Sequence, residues 1–140
     1  MDMTQLGTAT LGDDAFVEAF ESCRLPAAQF HHADHIRLAW ILLGKLSEQG
    51  ATSRIEQAIR RFAAHNRVGQ KYHQTITVAW MKLVAAARSA SPQATRFEEF
   101  VALHPELLHV KNLERYFTRE RLADPEARYR WVEPDICDLP

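Results

Sequence analysis

Three histidines and an aspartate occupy five consecutive positions, His31-His32-Ala33-Asp34-His35, directly ahead of an apolar stretch that includes Leu38 to Leu43. A second block, Lys71-Tyr72-His73-Gln74-Thr75, also sets a histidine before an apolar segment. In both blocks an Ala-Trp pair follows about two helical turns on, Ala39-Trp40 and Ala79-Trp80. Imidazole binds zinc, iron and copper, and it titrates near neutrality. Two or three histidines with a carboxylate and an open coordination position form a common catalytic metal centre. The same groups without an ion can transfer protons. His32, His35 and His73 are the candidate ligands of a divalent transition metal (Fe, Cu or Zn), with His31, His65 and His104 as possible additional ones. Asp34 and Tyr72 are the candidate catalytic groups. Asp34 is one residue from His35 and so swings about 100° away on a helix, where it also suits the positive helix N-terminus.

These residues can share a site only if helices bring them together. Asp13, with Phe16 and Phe20 at i, i+4, opens a first helix that runs to about Cys23, ahead of Pro26. The histidine block opens a second over about 32–48, with Ala39, Leu42, Leu43 and Leu46 as its stripe and Gly50 as its stop. Gly44 inside this stripe marks a candidate close helix crossing. Ser53-Arg54-Ile55-Glu56 reads as a capping box opening a third helix that ends near His65-Asn66. The spacing predicts a fourth helix over 71–88, with Ile76, Trp80, Leu83, Val84 and Ala87 inward. Thr95-Arg96-Phe97-Glu98 reads as a second capping box for a fifth helix. Pro105 suits a helix start, so 105–117 is predicted helical in one or two pieces.

No segment alternates apolar and polar residues long enough for a strand. The expectation is an all-α, single-domain helical bundle of about five to six helices. A loose arm covers 1–12, the bundle covers 13–117, and an irregular C-terminal segment covers 118–140. Short connections make neighbouring helices antiparallel, so the second and fourth run parallel and bring His32, His35 and His73 to one end. Trp40 and Trp80 read as packing residues, and Cys23 as structural. In the tail, Asp124-Pro125-Glu126 reads as the start of one short helix, and Trp131 as the anchor that pins the segment over the bundle as a lid.

The chain carries a formal net charge of −1, which gives no electrostatic ground for nucleic acid or an anionic membrane as partner. The apolar run Leu38–Leu43 is far too short to span a bilayer, no signal peptide is visible, and two cysteines make no disulfide framework. The expected setting is the cytoplasm and the expected partner a small molecule; a homo-oligomer stays open. Among the basic residues of 111–130, Arg115 and Arg119 are possible anion ligands through bidentate contacts.

Phe30-His31-His32-x-Asp34-His35-x-Arg37-x-Ala39-Trp40, Lys71-Tyr72-His73-x-Thr75-x-Thr77-x-Ala79-Trp80 and Arg121-Leu122-x-x-Pro125-Glu126-Ala127-Arg128-x-x-Trp131-Val132-Glu133-Pro134-Asp135 together resemble a group of short uncharacterised microbial proteins. That resemblance implies no activity, cofactor or catalytic residue. It implies only that the domain stands alone at about this length. The leading functional expectation is therefore a small metal-dependent enzyme acting on a small molecule. The alternatives are a non-enzymatic ligand-binding or interaction module with structural histidines, and a metal-free histidine acid–base enzyme.

Overall fold

The aromatic repeat Phe16 and Phe20 drives the first packing event. Both rings are fully buried, and Phe20 stacks on Phe30 and Phe62 with centroids 4.4 and 4.6 Å away. This stack joins helix α1 (Asp13–Glu21) to the start of α2 (His32–Lys45) and to α3 (Glu48–His65). The computed structural model describes residues 8–140, so most of the predicted N-terminal arm, residues 1–7, lies outside the described residues. Thr8–Thr10 form a 3-10 turn, and Arg37 of α2 holds this stretch by donating to the carbonyls of Thr8 and Leu11.

The protein is all-α, with no strand among the described residues. After α3, a 3-10 turn at Gly69–Lys71 leads into α4 (Gln74–Ala90), and α5 (Phe97–Leu103) follows. Two 3-10 segments, Pro105–Leu108 and Val110–Arg115, then precede α6 (Arg119–Ala123) and α7 (Pro125–Tyr129). Among the described residues no helix is long and apolar enough to cross a membrane.

α2 lies at the centre. Ile36, Leu38, Ala39, Trp40, Ile41 and Leu42 are all buried, so the helix is covered nearly all round rather than along one stripe. Leu46, predicted as part of that stripe, is instead the residue after the helix and is exposed. The capping serine of α3 is Ser47, whose Oγ accepts the Gly50 amide at 3.1 Å, so the helix starts earlier than Ser53. Ser53-Arg54-Ile55-Glu56 sits inside it, and Gly50 belongs to its first turn rather than stopping α2. The extra turn buries Ala51 completely, which is what the earlier start gains.

α4 begins at Gln74 because His73 takes the cap position, and the chain before it turns in 3-10 form. At α5, Glu99 rather than Glu98 closes the cap. Its Oε1 accepts from the amides of Thr95 and Arg96 and from the Thr95 hydroxyl. α7 begins where Asp124-Pro125-Glu126 predicts, with Asp124 accepting the Glu126 amide. α6, which no apolar period announces, is capped by Thr118, whose hydroxyl accepts the Arg121 amide.

α2 and α4 pack together and run parallel. Their N-terminal residues share one cavity, and at their C-terminal ends Gly44 faces Arg88. A Cβ at Gly44 would stand 2.7 Å from the Arg88 Nη2, whose guanidinium lies over the Trp40 ring. The close crossing suggested by Gly44 is thus a seat for one arginine.

The C-terminal segment is docked. The buried Thr75 hydroxyl donates to the Arg130 carbonyl at 2.8 Å and accepts the Val132 amide at 3.2 Å. Trp131 meets Phe117 edge-on with Lys82 over its ring, and the Ile136 amide donates to the Tyr116 carbonyl.

Candidate functional site

The first turn of α2 divides its polar groups between two sides. On one side, Asp34 is buried; its Oδ2 accepts the His31 amide at 2.9 Å, and its Oδ1 takes the Thr8 hydroxyl. Both carboxylate oxygens therefore hold backbone and the N-terminal stretch in place. On the other side, His31, His32 and His35 line a cavity of about 760 Å³.

The cavity walls are mostly apolar. Phe30 and Ala39 come from the α2 side, Ile55 and Ile59 from α3, and Ile76, Thr77, Trp80 and Met81 from α4. The remaining wall is built from the 3-10 segment and α6, through Val110, Leu113, Leu122 and Ala123. Its rim carries Lys111, Glu114 and Arg119. Trp80 packs against the core as predicted and also forms part of the cavity wall, with its ring 4.5 Å from that of His32.

His32 Nε2 lies 2.9 Å from the Leu107 carbonyl. A carbonyl only accepts, so Nε2 carries the proton and Nδ1 of the neutral ring keeps a lone pair. Burial holds the His32 pKa below its ordinary value, against the opposing pull of the Leu107 bond; His109 nearby adds to the lowering. His35 packs its ring edge against Phe30, and its buried Nε2 has no hydrogen-bond partner. Burial pushes its pKa down to about 4, His32 contributes in the same direction, and Asp34 opposes. Both imidazoles are neutral at pH 7.

His73 is placed differently. Its Nδ1 accepts the Ile76 amide at 3.1 Å, and its Nε2–H donates to the Leu122 carbonyl at 2.8 Å. Both ring nitrogens are committed, one to capping α4 and one to holding α6. It does not line the cavity that His32 and His35 line. Among the described residues no three His, Cys, Asp or Glu side chains are grouped closely enough to hold a metal ion.

The other candidates are dispersed. His104 bonds Ser91 Oγ at 3.0 Å, beyond the C-terminal end of α4 and so far from the histidine cavity. His65, at the end of α3, is exposed and lines no part of that cavity. Tyr72 donates its hydroxyl to Gln74 and lies under the Arg60 guanidinium, and burial raises its phenol pKa. It lines a smaller cleft with Arg60 and Arg128. Arg119 reaches the cavity rim but is bound to Glu114 at 2.6 Å, while Arg115 lies over Tyr116 away from the cavity.

A second cavity of about 790 Å³ lies between the C-terminal half of α4 and the docked tail. Its walls mix Lys82 and Arg88 with Glu48, Glu133 and Asp138, and no histidine lines it. The histidine cavity is the one that joins apolar walls to a few converging polar groups, the usual composition of a small-molecule site. Of the wall and rim residues of 110–123, Arg119 stood out in the sequence as a possible anion ligand; the others follow no sustained helical period.

Compared with family models, with curated proteins and with solved structures, the chain matches none.

Proposed function

We propose that the protein binds a small, largely apolar molecule in the histidine cavity, where a polar group of the ligand meets the histidine end of the wall. The observation that carries this reading is an apolar cavity of about 760 Å³ on which the imidazoles of His31, His32 and His35 converge. The volume falls within the range of small-molecule sites.

The test uses N-phenyl-naphthylamine, a neutral probe that fluoresces in apolar surroundings. Saturable binding of one probe per chain, lost in Ile76→Trp with helical spectrum and melting temperature kept, supports the cavity as a binding site. Probe binding that never saturates, or that is equal in both proteins, overturns it.

Proton transfer by His32 is the second reading. It rests on the Leu107 carbonyl, which fixes the proton on Nε2 and leaves Nδ1 as a base. A divalent transition metal on His32, His35 and His73 is the competing proposal. It requires His73 to give up its bonds to Ile76 and Leu122. Elemental analysis of untagged protein, exposed to iron, copper and zinc and then desalted, separates these readings. A stoichiometric equivalent of one ion overturns the metal-free ones.

A further inference from the structure

The rim of the histidine cavity is selective in charge. Among the described residues lining it, Glu114 is the one acidic side chain, and Arg119 Nε holds it at 2.6 Å. A cationic ligand therefore meets no free carboxylate. Lys111 lines the same rim and is exposed, and its ammonium has no ion pair or hydrogen bond to any described residue. His32 and His35 add no charge at pH 7. Two cations against one paired acid leave the rim with one net positive charge, carried by Lys111.

We propose that the ligand is an organic anion, its apolar body in the cavity and its carboxylate-type head at the Lys111 ammonium. The proposal rests on the cavity reading and names the ligand class for that site. An ammonium at the mouth of an apolar cavity attracts anions as they approach, and it binds a carboxylate by a charge-assisted hydrogen bond. The apolar walls contribute most of the affinity, and the head group sets orientation and class. His35 borders the cavity as a neutral imidazole, so it does not compete for the charge.

The test compares naphthoate with naphthamide, which share size and shape and differ in charge, by calorimetry at pH 7 in low salt. The expected result is naphthoate bound roughly fivefold more tightly, on the scale of a partly exposed ion pair. Lys111→Gln should erase that preference while leaving naphthamide affinity unchanged, and high salt should reduce it in the wild type. Equal binding of acid and amide to the wild type overturns the anion proposal and leaves the cavity reading standing. A preference that survives Lys111→Gln also overturns it, as does tighter binding of naphthylmethylamine than of naphthoate. Failure of all three compounds to bind overturns this proposal and the cavity reading together.

Discussion

The His73 imidazole joins Leu122 to the N-terminus of α4: its Nε2–H donates to the Leu122 carbonyl at 2.8 Å while its Nδ1 caps the Ile76 amide. One ring thereby completes a helix cap and fastens α6, which forms part of the cavity wall. His73→Ala leaves a carbonyl and an amide without partners and should cost about 1–3 kcal/mol in urea unfolding. His73→Asn, which retains a capping oxygen, should recover part of that loss. A loss below about 0.5 kcal/mol for the alanine variant would show that the ring holds neither element.

Acid should destabilise the fold through His35. Its pKa is about 4 in the folded protein against an ordinary 6.5, so above pH 6.5 neither folded nor unfolded chain protonates it. As the pH falls from 6.5 towards 4, the unfolded chain takes up the proton first, and stability is lost through that window; below it the loss levels off. The contribution is roughly 2–4 kcal/mol from the size of the shift. Unfolding measured across this range should show a shallower slope in His35→Gln, with the smaller contribution of His32 remaining. Parallel slopes in the two proteins would mean that His35 is not buried in its neutral form.

Thr75 is the fixed point of the C-terminal segment, since its buried hydroxyl serves both Arg130 and Val132. Thr75→Val keeps the shape and removes both bonds, at an expected cost of about 1–3 kcal/mol, while Thr75→Ser keeps them. Hydrogen exchange at the Val132 amide should accelerate in the valine variant and not in the serine one. Unchanged protection in Thr75→Val would show that the segment is held by its other contacts, Trp131 and the Ile136 amide among them.

Gly44 and Arg88 should be energetically coupled. An alanine methyl at position 44 meets the Arg88 guanidinium, but that group is the end of a flexible chain and can move off Trp40. In an Arg88→Met background Gly44→Ala should stabilise by about 1 kcal/mol, the intrinsic helix gain. In the wild type the gain should be smaller because Arg88 is displaced. Equal gains in both backgrounds, read by a double-mutant cycle, would remove the seat from the account.

Which parts of this arrangement the sequence carried follows from their physics. The 3.6-residue period marked α1, α2 and α4, because those helices bury apolar faces and periodicity reports burial. Helix starts were less legible. Ser47 and Ser53 both resemble caps, and only the burial of Ala51 decides between them. The convergence of His32 and His35 was readable from their spacing on α2. The separation of His73 from them was not, because a histidine at a cap position turns back onto its own helix's first amides. His104 lies beside Ser91 rather than at the histidine cavity because α5, seven residues long, is too short to return along the 17 residues of α4. Lys111 and Glu114 come from a 3-10 segment and Leu122 from a five-residue helix, too short for a sustained period, so of the far wall only Arg119 stood out.

The two histidine tethers also bear on the order in which the molecule is made. His32 bonds to Leu107, and His73 to Leu122, across 75 and 49 residues of chain. A ribosome delivers α2, α3 and α4 well before it delivers residues 107–122. Throughout that interval Ile55, Ile76 and Trp80 face an unfinished groove instead of a walled cavity, and both imidazoles lack their carbonyls. The nascent chain therefore presents its most apolar recess to the cell before it can close it, and that interval is when the chain is most exposed to capture by chaperones or by other nascent chains.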